Sequence, residues 1–278
     1  MIRSSQQGAA SGYALGVAVA QFAPGDDKAE NLAAISRLAE RAASRGASLV
    51  VFPEYSSYFS EPFGEGFLEK AEPIDGEFVT HLSALSERLQ IHIVAGMIET
   101  TDRGDRFSNT VVAVSPQGAA VASYRKLHLY DAFGSRESDF VEPGSIAAPE
   151  TFEVGDFTVA LQTCYDIRFP EMTRRLVDAG ADLVLVPAEW VTGVLKEHHW
   201  RTLVTARALE NTIYVAAADH TPPIGVGASL VVDPMGVTVA SLAENEDVGV
   251  AWITRARVDH VRRVNPALAL RRFGISEL

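Results

Sequence analysis

Residues 115–123 read SPQGAAVAS, and residues 233–241 read DPMGVTVAS. The two stretches agree at Pro, Gly, Val, Ala and Ser. Each is a Pro-x-Gly turn entering a short strand, and such turns recur because proline presets φ while glycine supplies a positive φ. Turn chemistry alone can produce that likeness. The sequence around each copy turns it into a repeat. Ahead of the first copy lie an apolar strand LGVAVAQF (15–22), a helix, and a second apolar strand SLVVF (48–52). A helix carrying Phe78, Leu82, Leu85 and Leu89 comes next, then strands IHIVAGMI (91–98) and NTVVAV (109–114). Strand AAVASYR (119–125) leaves the turn. Ahead of the second copy lie FTVALQTC (157–164), a helix from Pro170 through 180, DLVLV (182–186), a helix over 198–210, TIYVAAA (212–218) and ASLVV (228–232). VTVASL leaves that turn, and VGVAWI (248–253) is the last strand. Both halves thus read β-α-β-α-β-β-β, and the second gains one strand.

Local signals support these elements. Asp27 and Glu30 have capping-box spacing. Leu32, Ile35, Ala39 and Ala42 then share a helical face, and Gly46 suits the position after the helix end. Pro170 can occupy the first helical position, where its missing N–H costs nothing. A β-α-β unit implies parallel strands joined by a right-handed crossover. Two such mixed sheets with helices outside form a four-layer α-β-β-α sandwich of the α/β class, with internal pseudo-symmetry. No linker separates the halves, so they are one domain over residues 14–265. Residues 1–13 (MIRSSQQGAASGY) read as a loose leader, 130–150 as loop, and 266–278 as a C-terminal tail.

Composition bounds the function. A chain of 278 residues buries about 75% of its unfolded surface and needs no disulfide or metal to fold. Its net charge of −12 opposes nonspecific binding to nucleic acid or anionic membranes. No apolar run approaches a membrane span, and the N-terminus lacks the apolar core of a secretory signal. One cysteine excludes an intrachain disulfide and fits a reducing, cytoplasmic setting. The six arginines between 255 and 272 look like a phosphate-binding segment, but against −12 an intersubunit or solvated role fits better.

Four residues could carry chemistry. Cys164 ends an apolar strand and precedes a helix; such a turn exposes a nucleophile and aims backbone N–H dipoles that can favour a thiolate. Against this, lone cysteines are commonly inert buried hydrophobes. Glu54, in VVFPE, sits just past a strand end, where open sheets present functional groups. A carboxylate beside apolar residues is a better base than one in water. Lys126, in YRKLHLYD, is flanked by apolar and aromatic residues, and a buried ammonium needs an anionic partner. Glu137, in the loop GSRESDFVEPG, is nearly uninformative by itself. His128, His198 and His199 have no zinc-like spacing, so no metal site is expected, and no cofactor either. GVGAS (225–229) is no dinucleotide fingerprint, and no G-x-S-x-G elbow is present.

Taken in order, Glu in FPE, Lys in RKLHLYD, Glu in the next loop and Cys in CYDIRFPE resemble the nitrilase superfamily of carbon–nitrogen hydrolases, over roughly residues 15–265. The ARALEN helix (206–211) and the VVDPMG hairpin belong to the likeness. The resemblance implies the same four-layer sandwich and pairing of subunits through the nucleophile-bearing layer, hence a homodimer or larger homo-oligomer. It implies that Cys164 is the nucleophile, Glu54 the proton acceptor, Lys126 the oxyanion partner together with the N–H of Tyr165, and Glu137 a second, positioning carboxylate. Tyr55 and Trp190 are implied substrate-binding residues. The pair Tyr165-Asp166, where true nitrilases carry Trp-Glu, resembles the amidase branch near omega-amidases and deaminated-glutathione amidases. The implied reaction is hydrolysis of small aliphatic amides or monoamides through a thioester. Alternatives are an N-carbamoyl-amine hydrolase or true nitrilase on the same scaffold, a silent scaffold protein, or a cysteine protease with a histidine base. The loop after TIYVAAA (219–229) lacks the arginine that omega-amidase relatives often carry there. Lys196 and Arg168 are the available cations, and a simple short amide is expected rather than a keto-acid monoamide.

Overall fold

In a computed structural model describing residues 13–277, the strands are β1 (Leu15–Gln21), β2 (Leu49–Val51), β3 (His92–Thr100), β4 (Phe107–Val114), β5 (Ala120–Arg125), β6 (Thr151–Val154), β7 (Phe157–Leu161), β8 (Leu183–Pro187), β9 (Tyr214–Ala218), β10 (Leu230–Val232), β11 (Thr238–Ser241) and β12 (Asp247–Ile253). The helices are α1 (Lys28–Ser44), α2 (Gly66–Lys70), α3 (Glu77–Leu89), α4 (Pro170–Asp178), α5 (Lys196–Asn211) and α6 (Arg255–Val264). The leader assigned to residues 1–13 lies, apart from Tyr13, outside the described residues.

One sheet has the order β12-β1-β2-β3-β4-β5 and the other β11-β10-β9-β8-β7-β6. In each half the first three strands are parallel and the next two antiparallel: β1-β2-β3 then β4 and β5, β7-β8-β9 then β10 and β11. The SPQG and DPMG turns join corresponding strands, and the pairing beside each carries an irregularity, at Ala113/Val114 and at Val231/Val232. The repeat is therefore structural. Each half also receives an antiparallel edge strand, β12 beside β1 and β6 beside β7.

Period-two alternation explains the layering. Val17 and Val19 face the second sheet, while Ala18 and Ala20 face the helices. The inner core joins them to Leu49, Val51, Val159, Leu161, Leu183 and Leu185. The outer face of the first sheet packs Ile35, Leu38, Phe78 and Leu82 of α1 and α3; that of the second packs Met172, Leu176, Trp200 and Val204 of α4 and α5. This is the expected α-β-β-α sandwich. Asp27 caps α1 by accepting from the N–H groups of Ala29 and Glu30, and Gly46 takes φ +86° just past its end.

Three expectations change. Strand 157–164 stops at Leu161, because the Asp166 carboxylate accepts the Thr163 N–H and draws the chain into a 3₁₀ turn over Cys164–Arg168. The short strand β6 and the one-turn α2 are additional elements, each under six residues and too brief for periodicity to register. Four of the six arginines near the C-terminus bind their own chain. Arg255 and Arg262 both pair with the buried Asp182, Arg257 with Asp233, and Arg271 with Asp178. Each pair takes up charge that a phosphate would need.

Candidate active site

The site lies where β2, β5, β7 and β8 end. Glu54 follows β2 and is 1% exposed; Lys126 follows β5 and is 2% exposed. Lys126 Nζ donates to Glu54 Oε1 at 2.9 Å and to Glu137 Oε2 at 2.9 Å, so one ammonium bridges two buried carboxylates. Burial works against its charge, but Glu137 and Glu54 outweigh that and hold its pKa well above the usual lysine value. Glu137 sits in a 3₁₀ turn over Glu137–Asp139. Burial opposes its ionisation too, yet Lys126, the Tyr55 hydroxyl and the Tyr130 N–H keep its carboxyl below the usual range.

Two further side chains fix the acids. Asn109, fully buried on β4, donates through Nδ2 to Glu54 Oε1 at 2.6 Å and to Glu137 Oε1 at 3.0 Å. His220 binds the Glu54 carbonyl through Nε2 at 2.7 Å, and burial lowers its pKa to about 4, so a neutral ring donates that bond. Glu54 Oε2 accepts the Glu189 N–H at 2.6 Å. The sheet also crowds Glu54 from behind: a Cβ at Gly96 of β3 would lie 2.7 Å from the Glu54 Cα.

Cys164 opens its turn with φ +44°, a strained value for a non-glycine residue, and its Sγ lies 3.6 Å from the Glu189 carbonyl. Burial and the negative charge of Glu54 push the thiol pKa well up, partly offset by Lys126. The resting group is a neutral thiol, not the thiolate that turn dipoles alone suggest. Asp166 ties the Cys164 turn to the lysine segment. Its Oδ2 accepts from Thr163 N–H and Tyr124 OH, and its Oδ1 binds the backbone N–H and ring Nδ1 of His128. RKLHLYD and CYDIRFPE are thereby sewn together by one carboxylate.

Cys164, Glu54, Lys126, Glu137, Tyr55, Tyr165 and Trp190, the seven residues singled out from sequence, all line one cavity of about 430 Å³. Their neighbourhood differs in detail from expectation. Tyr55 is turned to Glu137, at 2.6 Å, and serves the carboxylate. Trp190 is both wall and core: its ring lies 5.3 Å from that of Trp200, and its Nε1 donates to the Lys196 carbonyl. Arg168 and Lys196 line the cavity as well. Arg168 lies over the Trp190 ring at 4.8 Å, and its Nε and Nη2 are buried without a hydrogen-bond partner. Lys196 donates to Tyr130 OH at 2.7 Å and sits 4.3 Å from the Phe133 ring centroid.

Sequence reasoning passed over Asn109, Asp166, His220 and Glu189. Asn109 had a signal, an amide inside the apolar run FSNTVVAV. Glu189 follows DLVLVPA much as Glu54 follows LVVFP. Asp166 has capping-box spacing from Thr163, but its bonds to Tyr124 and His128, like the bond of His220 to Glu54, join partners distant in sequence, which no local pattern shows. Among the described residues no group of three or more His, Cys, Asp or Glu side chains is placed to hold a metal ion.

Comparison with known proteins shows the family. Residues 16–263 match the carbon-nitrogen hydrolase family. The deaminated glutathione amidase of Escherichia coli O157:H7 is 38% identical over 262 residues, covering 94% of this chain and 99% of that protein. The omega-amidase NIT2 of Danio rerio is 33% identical over 269 residues, covering 92% and 94%. The crystal structure of the C. elegans NitFhit protein superposes with a TM-score of 0.85 at 30% identity, covering 94% of this chain and 65% of that one, just under two thirds of its length. The chain thus belongs to the carbon–nitrogen hydrolase family, within the nitrilase superfamily, and is a hydrolase of its amidase branch.

Proposed function

We propose that the protein hydrolyses small monoamides to carboxylic acid and ammonia through a thioester on Cys164. The observation that carries this is the buried Glu54–Lys126–Glu137 array sharing one cavity with Cys164. An amide carbonyl resists water, so a sulfur nucleophile divides the barrier into two lower ones. Sγ bonds to the carbonyl carbon while its proton passes to Glu54. The oxyanion is stabilised by the Lys126 ammonium and the Tyr165 N–H, a contribution of about 3–4 kcal/mol for one such donor. Glu54 returns the proton to the amide nitrogen, the C–N bond breaks, and ammonia leaves. Water then attacks the thioester as Glu54 takes its proton, and the thiol is restored with the acid product. Proton transfer by a placed carboxylate typically adds about 10²–10⁴-fold. Glu137 keeps Lys126 charged and in place.

The acyl chain carries a carboxylate. A guanidinium with two buried, partnerless nitrogens and an ammonium held on aromatic faces supply what such a group needs, and they replace the cation absent from residues 219–229. This favours a monoamide of a dicarboxylic acid over a simple short amide. Replacing Cys164 by alanine should abolish ammonia release from glutaramate and succinamate with the circular dichroism spectrum retained; activity surviving in that variant refutes the mechanism. The enzyme works in the cytoplasm as a homodimer in this reading, supported by the lone cysteine and the family resemblance. No described helix is long and apolar enough to cross a membrane. Sedimentation equilibrium should give twice the 29.9 kDa protomer mass, and a purely monomeric species would remove the dimer.

A further inference from the structure

Glu61, Arg136, Asp139 and Glu189 are charged residues of the cavity given no part in the reading above, and of these Glu189 is the one whose backbone meets both Glu54 and Cys164. It sits beside the reacting atoms, since its N–H holds Glu54 and its carbonyl meets Cys164 Sγ. Glu189 is a partly buried residue lining the cavity, and among the described residues its carboxyl group makes no hydrogen bond or ion pair. Burial, then Glu54 and Asp219, raise its pKa well above the usual carboxyl value, so the site is short of positive charge at this point.

Beyond Lys126, three cations line the same cavity and, among the described residues, none pairs with Glu189; Arg136 lies 3.6 Å from Asp139. Arg168 is spread over Trp190, and Lys196 is fastened to Tyr130 OH and the Phe133 face. Aromatic faces hold cations by their quadrupoles and so fix where each one stays. A carboxyl group without a cation and cations without an anion, held in one small hollow, are both satisfied by a ligand that pairs with each. A compound with an anion at one place and a cation at another meets both demands.

We infer that Glu189 is a specificity-determining residue that accepts hydrogen bonds from a substrate ammonium, so that the substrate is an α-amino acid bearing the scissile carboxamide at its side-chain end. This rests on the reading above that Arg168 and Lys196 take the carboxylate, and it adds the second charge.

The test uses the Cys164→Ala protein, which binds without turnover, and isothermal calorimetry with matched ligands. L-glutamine is compared with glutaramate and 2-oxoglutaramate, and L-asparagine with succinamate. The ammonium member should bind more tightly by about tenfold or more at one chain length, the size of a charge-assisted hydrogen bond. Glu189→Ala in the same background should erase that preference, and in the otherwise native enzyme should raise KM for the amino substrate more than it lowers kcat. Equal or tighter binding of the unsubstituted or 2-oxo ligand overturns the inference while leaving the carboxylate reading intact. So does a preference that survives in Glu189→Ala. If none of the five compounds binds, both fall.

Discussion

At Cys164 the environment decides when the sulfur becomes reactive. Burial and Glu54 disfavour the charged form, which raises the pKa, so ionisation moves to higher pH than for a free thiol. Thiolate absorbance at 240 nm, taken as native minus Cys164→Ala, should therefore show no step until well above about pH 8.5, the free-thiol value. A step near neutrality would contradict the neutral resting thiol. In the proposed mechanism the proton leaves only as Sγ bonds to the substrate carbonyl carbon. Lys126 shows the opposite case. Desolvation alone would neutralise it, but two carboxylates within 3.1 Å outweigh that cost and keep it an ammonium. Asn109 lets both acids stay close by donating to each of them.

At the scale of elements, the site depends on how closely strands and turns approach. Gly96 lies within β3, where Glu54 and Tyr55 pass so near that any side chain would collide with backbone. Gly96→Ala must push the Glu54 segment forward. We expect a loss of about 1–3 kcal/mol by urea unfolding, the usual cost of overpacking. Ammonia release should also fall at least about tenfold, since displacements near 1 Å cost on the order of a hundredfold. Wild-type activity in that variant would show that the strand can shift without moving the acid. The Asp166 turn works similarly on the other sheet. It ends β7 early, places Cys164 at φ +44°, and pins the lysine segment through Tyr124 and His128.

Across the whole molecule, the two halves share one topology but exchange edges. β12 follows the second half in sequence and pairs with β1 in the first sheet. The helix after it returns to the second sheet, where Arg255 and Arg262 hold Asp182 at the start of β8. This clasp ties the sheets together behind the core. Asp182 is 3% exposed while its partners are partly solvated, so Asp182→Asn should cost about 1–2 kcal/mol in urea unfolding. An unchanged midpoint would mean that the clasp contributes nothing.

The sequence by itself determined the layers, the doubling and the family, because each rests on short-range pattern. Alternating valines mark faces of strands, Asp27 and Pro170 mark helix starts, and SPQGAAVAS repeats as DPMGVTVAS. Cys164, Glu54 and Lys126 stood out for the same reason, each lying in a compact motif, whereas Glu137 was singled out only by the resemblance. What only the tertiary structure decided is how those motifs act on one another. Glu54 and Lys126 are 72 positions apart, and Asn109, Asp166, His220 and Glu189 matter through partners as far as 166 positions away. Desolvation and Coulomb interaction depend on distance in space, and a linear pattern carries no such distance.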